Sequence, residues 1–188
     1  MSREPVAVRR DGRATDTRER VRAVALRLFV TKGFAATSLK DIADELGVTK
    51  AALYYHFPAK ADLARSIFQP FIDDVDALLA GLDRADRPPR EILTAYVETL
   101  IPHREAFAAI MRDPTAAADL DVEGASVRWL DRLTELLSAG DDAEARIRVT
   151  VAVGGLTRVL VLPEADADAI RGTAIDAAVA ALGPAAHR

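Results

Sequence analysis

The sequence predicts an all-α chain of about nine helices, a short N-terminal unit followed by a longer helical one. Three observations carry this. Apolar residues recur at i, i+3, i+4 and i+7 along most of the chain, and no stretch alternates as a strand does. Capping Ser, Thr or Asp before, and Gly or Pro after, punctuate the periodic stretches. Charge divides the chain too. Residues 1–60 carry 12 Lys+Arg against 7 Asp+Glu, and residues 61–188 carry 13 against 22. A basic end and an acidic body suit a protein that meets a polyanion at one end.

The 188 residues, half of them apolar, suffice for one large domain or two small ones with a proper core. The absence of cysteine excludes disulfides and thiolate metal sites and fits a reducing cytoplasm. No apolar run approaches the roughly 20 residues of a membrane span, and there is no signal-peptide pattern, so no membrane partner is expected.

In order along the chain, residues 1–14 hold Arg3, Arg9, Arg10 and Arg13 without periodicity and read as a flexible basic arm. Residues 16–32 form a helix, capped by Thr15 or Asp16, whose stripe is Val21, Val24, Ala25, Leu28 and Phe29; Gly33 ends it. Ser38 caps the next, with Asp41 three residues on as in a capping box, and Leu39, Ile42, Ala43 and Leu46 line its inner face. Gly47 is its C′ residue. Thr49 caps a third helix that turns Leu53 and Phe57 inward and ends at Pro58. A long helix over 61–82 contains Pro70, where a kink is expected. After a loop at 84–89 come helices at 90–101, 103–112, 122–139, 143–162 and 164–182, with residues 115–120 ambiguous.

The third helix is suited to a major groove. Ala51 and Ala52 permit close approach, and Lys50 at its start is placed for a base edge, ideally guanine O6 and N7. Tyr54, Tyr55 and His56 add hydrogen-bonding groups. For Tyr55 the alternative is partial core packing, and for His56 a surface or core imidazole.

Gly33-Phe34, Thr37-Ser38-Leu39, Asp41-Ile42-Ala43, Leu46-Gly47-Val48 and Leu53-Tyr54-Tyr55-His56-Phe57, then Lys60 and Leu63, form a set. By them residues 15–65 resemble the DNA-binding domain of the tetracycline-repressor (TetR) family of bacterial regulators. The resemblance implies a helix-turn-helix domain at 15–60 and a helical effector-binding and dimerisation domain at 61–188. It implies that Thr37, Thr49, Tyr54, Tyr55, His56 and Lys60 face mainly phosphates, with Ser38 beside them. It implies a homodimer on a pseudo-palindromic operator of double-stranded DNA, released by a small-molecule effector. The family has no shared set of effector contacts, so Tyr96, Leu100, His103, Phe107, Met111 and Trp129 are candidates on composition alone. Small residues at helical spacing, Gly154, Gly155, Ala174, Ala178 and Ala181, make the last two helices the expected dimer interface.

No catalytic constellation is present: His56, His103 and His187 lack metal-ligand spacing, and there is no phosphate loop or nucleophile elbow. No enzyme activity, metal or cofactor is expected. Asp73, Asp74 and Asp76 read as a solvated face. The competing function is a DNA-binding or DNA-organising factor with no small-molecule effector.

Overall fold

A computed structural model of the chain describes residues 9–83, 87–113, 122–138, 142–162 and 165–183. The first residues of the expected arm, the ambiguous 115–120 segment and His187 lie outside them. The described residues form helices α1 (Arg9–Lys32), α2 (Leu39–Leu46), α3 (Lys50–His56), α4 (Lys60–Gly81) and α5 (Pro89–Leu100). A 3₁₀ turn at Ile101–His103 leads into α6 (Arg104–Arg112), followed by α7 (Val122–Leu137) and α8 (Ala143–Leu160). The last helix, α9, covers residues 167–182. Among the described residues no helix is long and apolar enough to cross a membrane.

Local chemistry sets the boundaries in the N-terminal third. Gly33 (φ 91°) and Gly47 (φ 66°) take left-handed conformations that end α1 and α2. Ser38 and Asp41 close a reciprocal capping box on α2. The Thr49 hydroxyl accepts from the Ala52 amide and starts α3. One boundary differs from expectation. α1 begins at Arg9, so residues 9–14 are helical and Thr15 and Asp16 lie inside the helix. Apolar periodicity detects burial rather than helicity, and a single Gly12 costs a helix only about 1 kcal/mol.

The three-helix core forms as expected from Val21, Ala25, Leu28, Phe29, Leu39, Ile42, Leu53 and Phe57. It extends further than residue 60. Leu63, Ala64, Ile67 and Phe68 from α4 complete it, together with Ala106, Ala109 and Ile110 from α6. A second core runs from Phe71 through α5, α7 and α8 to Leu182. The two divide within α4, between Phe68 and Phe71, and exposed Pro70 stands at that division inside one continuous helix. Arg132 of α7 donates to the carbonyls of Leu79 and Leu82 at 3.3 and 2.7 Å, satisfying the C-terminal end of α4.

α9 is not the uniform α-helix expected. Ile170–Ala174 is π-helical. Ile170 and Ile175 are both buried although five residues apart, a spacing that turns an α-helix by roughly 140°. The wider turn brings both to the core, and Ala178, Val179 and Leu182 follow on the same side against α8.

Ile110 tests whether α6 is part of the N-terminal core. Ile110→Ala should cost about 2–5 kcal/mol, the range for truncating a fully packed aliphatic side chain. Denaturant unfolding followed by circular dichroism measures it, and a loss below about 0.5 kcal/mol would place α6 outside that core.

Candidate nucleic-acid interface

α3 presents two faces. Leu53, and Phe57 at its C-cap, are each 1% exposed and anchor it on α1 and α4. Ala51, Ala52 and Tyr55 lie on the opposite side, and Tyr55 is 85% exposed. Core packing of Tyr55 is thereby excluded. Its ring stands edge-on to His56 with centroids 5.3 Å apart. A large exposed aromatic without apolar company suits a partner with both flat and polar surfaces. Lys50 is exposed, and its Nζ lies 5.3 Å from the Tyr54 ring centroid, the i, i+4 neighbour, so both occupy one flank of α3.

That flank opens onto a basin of about 350 Å³ bounded by Ala35–Leu39, Tyr54 and the start of α4. α4 has no side-chain N-cap; Asp62 accepts only from the Ala59 amide, at 3.2 Å. Its first amides receive no side-chain cap and remain donors, and Tyr54 lines the same basin. The Thr49 hydroxyl uses its oxygen in the cap, which leaves its proton for an outside acceptor. The other flank, with Ala52 and half-buried His56, meets Thr17, Arg20 and Val21 of α1 across an apolar notch of about 40 Å³.

Three residues expected at the DNA, two of them as phosphate contacts, have hydrogen-bond partners within the chain. Thr37 is 1% exposed and its hydroxyl donates to the Gly33 carbonyl at 2.8 Å and the Leu28 carbonyl at 3.4 Å, so it fastens the α1–α2 turn. The Ser38 hydroxyl donates to Asp41 and accepts from the Asp41 amide. The hydroxyl, and the Ser38 amide donating to the same carboxylate at 2.8 Å, hold the Asp41 carboxyl below the ordinary carboxylate value by favouring its charged form. Lys60 is half-buried; Nζ donates to the carbonyls of Phe34 at 2.9 Å and Thr37 at 3.0 Å and lies 4.3 Å from the Phe34 ring centroid. Its ammonium ties α4 to the α1–α2 turn instead of projecting into the basin. Exposed Arg18, which lies off the apolar stripe of α1, stacks over the Phe57 ring at 5.0 Å, beside the end of α3.

The C-terminal candidates gather in part. Phe71 is the hub: its ring lies 5.8 Å from His103, 5.9 Å from Phe107 and 5.5 Å from Trp129. The indole N–H of Trp129 donates to Asp76 at 2.6 Å, and His103 meets Asp74 at 2.8 Å. Asp74 and Asp76 are therefore not merely solvated; they join α4 to α6 and α7. Tyr96 and Leu100 are buried in the same core, and burial alone raises the Tyr96 phenol. Met111 is 53% exposed and does not join them. Among the described residues no group of His, Asp and Glu is placed to hold a metal ion.

The expected dimer residues separate. Gly154 and Gly155 are exposed, and a Cβ on either would meet nothing within 4 Å. Ile147 and Val151 extend their face of α8 at i and i+4, 63% and 60% exposed. Ala174 and Ala181 are half-buried. Ala178 is 4% exposed within the single chain. It belongs to the core of its own chain, where α9 packs against α8 and α5.

Residues 21–67 match the family model described as bacterial regulatory proteins, tetR family. The HTH-type transcriptional regulator AcrR of Shigella flexneri is 46% identical over 88 residues, 47% of this chain and 40% of that protein. The HTH-type transcriptional activator FasR of Mycolicibacterium smegmatis is 30% identical over 139 residues, 69% of this chain and 63% of that protein. The chain spans less than two thirds of the length of either relative. The crystal structure of a TetR-like transcriptional regulator from Rhodococcus sp. RHA1 shares the fold with a TM-score of 0.68 at 23% identity, over 97% of this chain and 100% of that one. A regulator from Aquifex aeolicus VF5 does so with a TM-score of 0.69 at 19% identity, over 86% and 96%. The capped pair α2–α3, the core beneath it and these likenesses lead to one statement: residues 21–67 carry the DNA-binding module of the bacterial regulatory proteins, tetR family, on a chain that shares the fold of TetR-like regulators.

Proposed function

We propose that the protein is a ligand-responsive repressor that binds a pseudo-palindromic operator as a homodimer, working in the cytoplasm on chromosomal DNA. In this reading the N-terminal helices are its DNA-binding unit and the helices beyond them its effector and dimerisation unit. The observation that carries it is the outward face of α3, with Lys50, Tyr54 and Tyr55 exposed on a helix fixed by Leu53 and Phe57. Base edges fall to Lys50, Ala51, Ala52 and Tyr55. Phosphates fall to Tyr54, Thr49, His56, Arg18 and the first amides of α4. Two copies associate through the exposed stripe Ile147, Val151, Gly154 and Gly155 of α8, where small residues admit close crossing.

An effector acts by binding one spacing of the two α3 helices better than another, since only differential affinity moves the equilibrium. The aromatic group around Phe71 is its candidate seat, because it adjoins the change of core within α4. A second reading, a regulator without a small-molecule effector, draws support from the same place. Trp129 and His103 already have carboxylate partners.

Selection of bound fragments from random double-stranded DNA tests the operator reading directly. On the selected sequence, Lys50→Ala and Tyr55→Ala should each lose about 1–3 kcal/mol of specific binding, the worth of one good base contact, with unchanged melting. Lys60→Met should behave oppositely: it lowers the melting temperature and leaves the salt dependence of binding nearly as steep, because it removes no phosphate contact. Fluorescence anisotropy against salt concentration, beside thermal melts, separates the two patterns.

Val151→Glu should yield folded monomers with weakened operator binding, by sedimentation velocity, since it buries a carboxylate in the proposed interface. A dimer that persists moves the interface elsewhere. Trp129 is the only tryptophan, so its emission reports on the Phe71 group. A metabolite and drug screen should find a compound that shifts this emission and lowers operator affinity together. A screen that moves neither favours the effector-free regulator.

A further inference from the structure

Between α1 and the turn that leads into α3, the surface dips into the apolar notch of about 40 Å³. Its floor is Val21 of α1 and Leu53 of α3, both buried. Half-buried Leu46 lines one side. Val48, 39% exposed, and exposed Ala52 stand at the rim, so the notch opens onto the surface that continues as the outward face of α3. The place of Val48 is fixed. Its amide donates to the Ala43 carbonyl at 3.1 Å, just past left-handed Gly47, as in a Schellman turn. A β-branched side chain there has little rotamer freedom to lose.

Water serves such a hollow poorly. A bound water asks for roughly two to four polar partners, and the side chains of Val21, Leu46, Val48, Ala52 and Leu53 offer only carbon. The room is for a methyl group or a little more. What fills it depends on what covers α3. Ala52 belongs to the face assigned above to operator bases, so a duplex lying on that face also covers the notch. Of the groups that base pairs present in the major groove, the C5-methyl of thymine is the apolar one; the rest are hydrogen-bond donors and acceptors.

We propose that the notch receives one thymine C5-methyl in each half-site, which makes Val48 and Ala52 determinants of operator sequence. The inference rests on the operator-binding dimer proposed above and names a base that it reads. C5 lies toward the backbone side of a pyrimidine's major-groove edge. The rim also carries exposed Arg20 of α1 and half-buried His56 of α3, two side chains that suit the phosphate beside such a base. The tasks divide: the rim holds the backbone, and the hydrocarbon walls test for the methyl. Cytosine at that position brings an amino group and no methyl, and leaves the walls without an apolar partner.

The test uses the full-length protein and the palindrome that it selects from random double-stranded DNA. Each thymine of the half-site is replaced in turn, symmetrically, by deoxyuridine, which pairs alike and lacks only the methyl. At one position the replacement should weaken wild-type binding about fourfold per half-site, the worth of one buried methyl group. In Val48→Ala the penalty at that position should fall to about half or less, while penalties at other thymines stay as in the wild type, the signature of a direct pairwise contact. The melt should hold, because Val48 is partly exposed. Should Val48→Ala melt early, Ala52→Ser on the facing wall takes its place. A scan with no uracil-sensitive position overturns the proposal. A penalty that survives intact in the folded variant overturns it too: the methyl then rests on other residues, and a variant that weakens thymine and uracil operators alike assigns the notch to the sugar-phosphate backbone. A wild type that selects no DNA sequence is a separate result, which overturns the operator reading itself.

Discussion

An ammonium set among backbone carbonyls fixes the geometry on which the rest of the N-terminal unit depends. The α1–α2 turn leaves the helical register where Gly33 turns the chain left-handed, and within the turn the Thr37 amide donates to the Phe34 carbonyl at 3.2 Å. Lys60 adds a second donor for Phe34 and one for Thr37. A half-buried charge that lost these acceptors would be left poorly solvated, so the contact is costly to break from either side. The Thr37 hydroxyl on Gly33 closes the same turn from within. The angle between α1 and α2 follows from this arrangement. The position of α3 then follows from the angle, since only Gly47, Val48 and Thr49 lie between α2 and α3.

That dependence explains what the sequence could reveal and what it could not. Ser38, Asp41, Gly47 and Thr49 act within four residues of themselves, so their type and spacing were enough to place two helices and the turn between them. Lys60, Thr37 and Ser38 share the same motif but not the same occupation. A polar side chain declares what it can bond to, not where its partner lies, and here the partners are carbonyls and a carboxylate of the chain itself. Tyr55 is the converse case. Its aromatic ring allowed a core role, and only its exposure assigns it to the outer face.

Beyond α4 the limits are tertiary. The stripe on α6 announces an amphipathic helix, yet nothing local says that Ala106 and Ile110 serve a core built from Val21 to Phe68. Ala178 illustrates a second limit. Small residues at helical spacing allow close approach, but to a neighbour in the same chain as readily as to a second copy. Ala178 is buried in the core of its own chain, whereas Ile147 and Val151 on α8 are exposed. The π-turn at Ile170–Ala174 escaped because a 3.6-residue period was assumed where the chain uses a longer one. The acidic run on α4 was read as solvation for a similar reason. Charge is visible in a sequence, whereas the indole and imidazole that meet Asp76 and Asp74 come from other helices.

Two connections join the two cores. α4 crosses from one to the other at Pro70, and α6 packs Ala106, Ala109 and Ile110 into the N-terminal core while Phe107 leans on the C-terminal one. Tilting the N-terminal unit about α4 therefore also disturbs the packing of α6. Repacking a tight core proceeds between distinct arrangements rather than by graded deformation. Magnitudes limit what any one polar contact can add to this. Moving a two-state equilibrium from 1:99 to 99:1 takes about 5.5 kcal/mol of differential binding, whereas a hydrogen bond to a charged group is worth about 1.5–3 kcal/mol. The orientation of α2 and α3 therefore rests on the shared packing of α1, α4 and α6, and single ties such as that of Lys60 refine it.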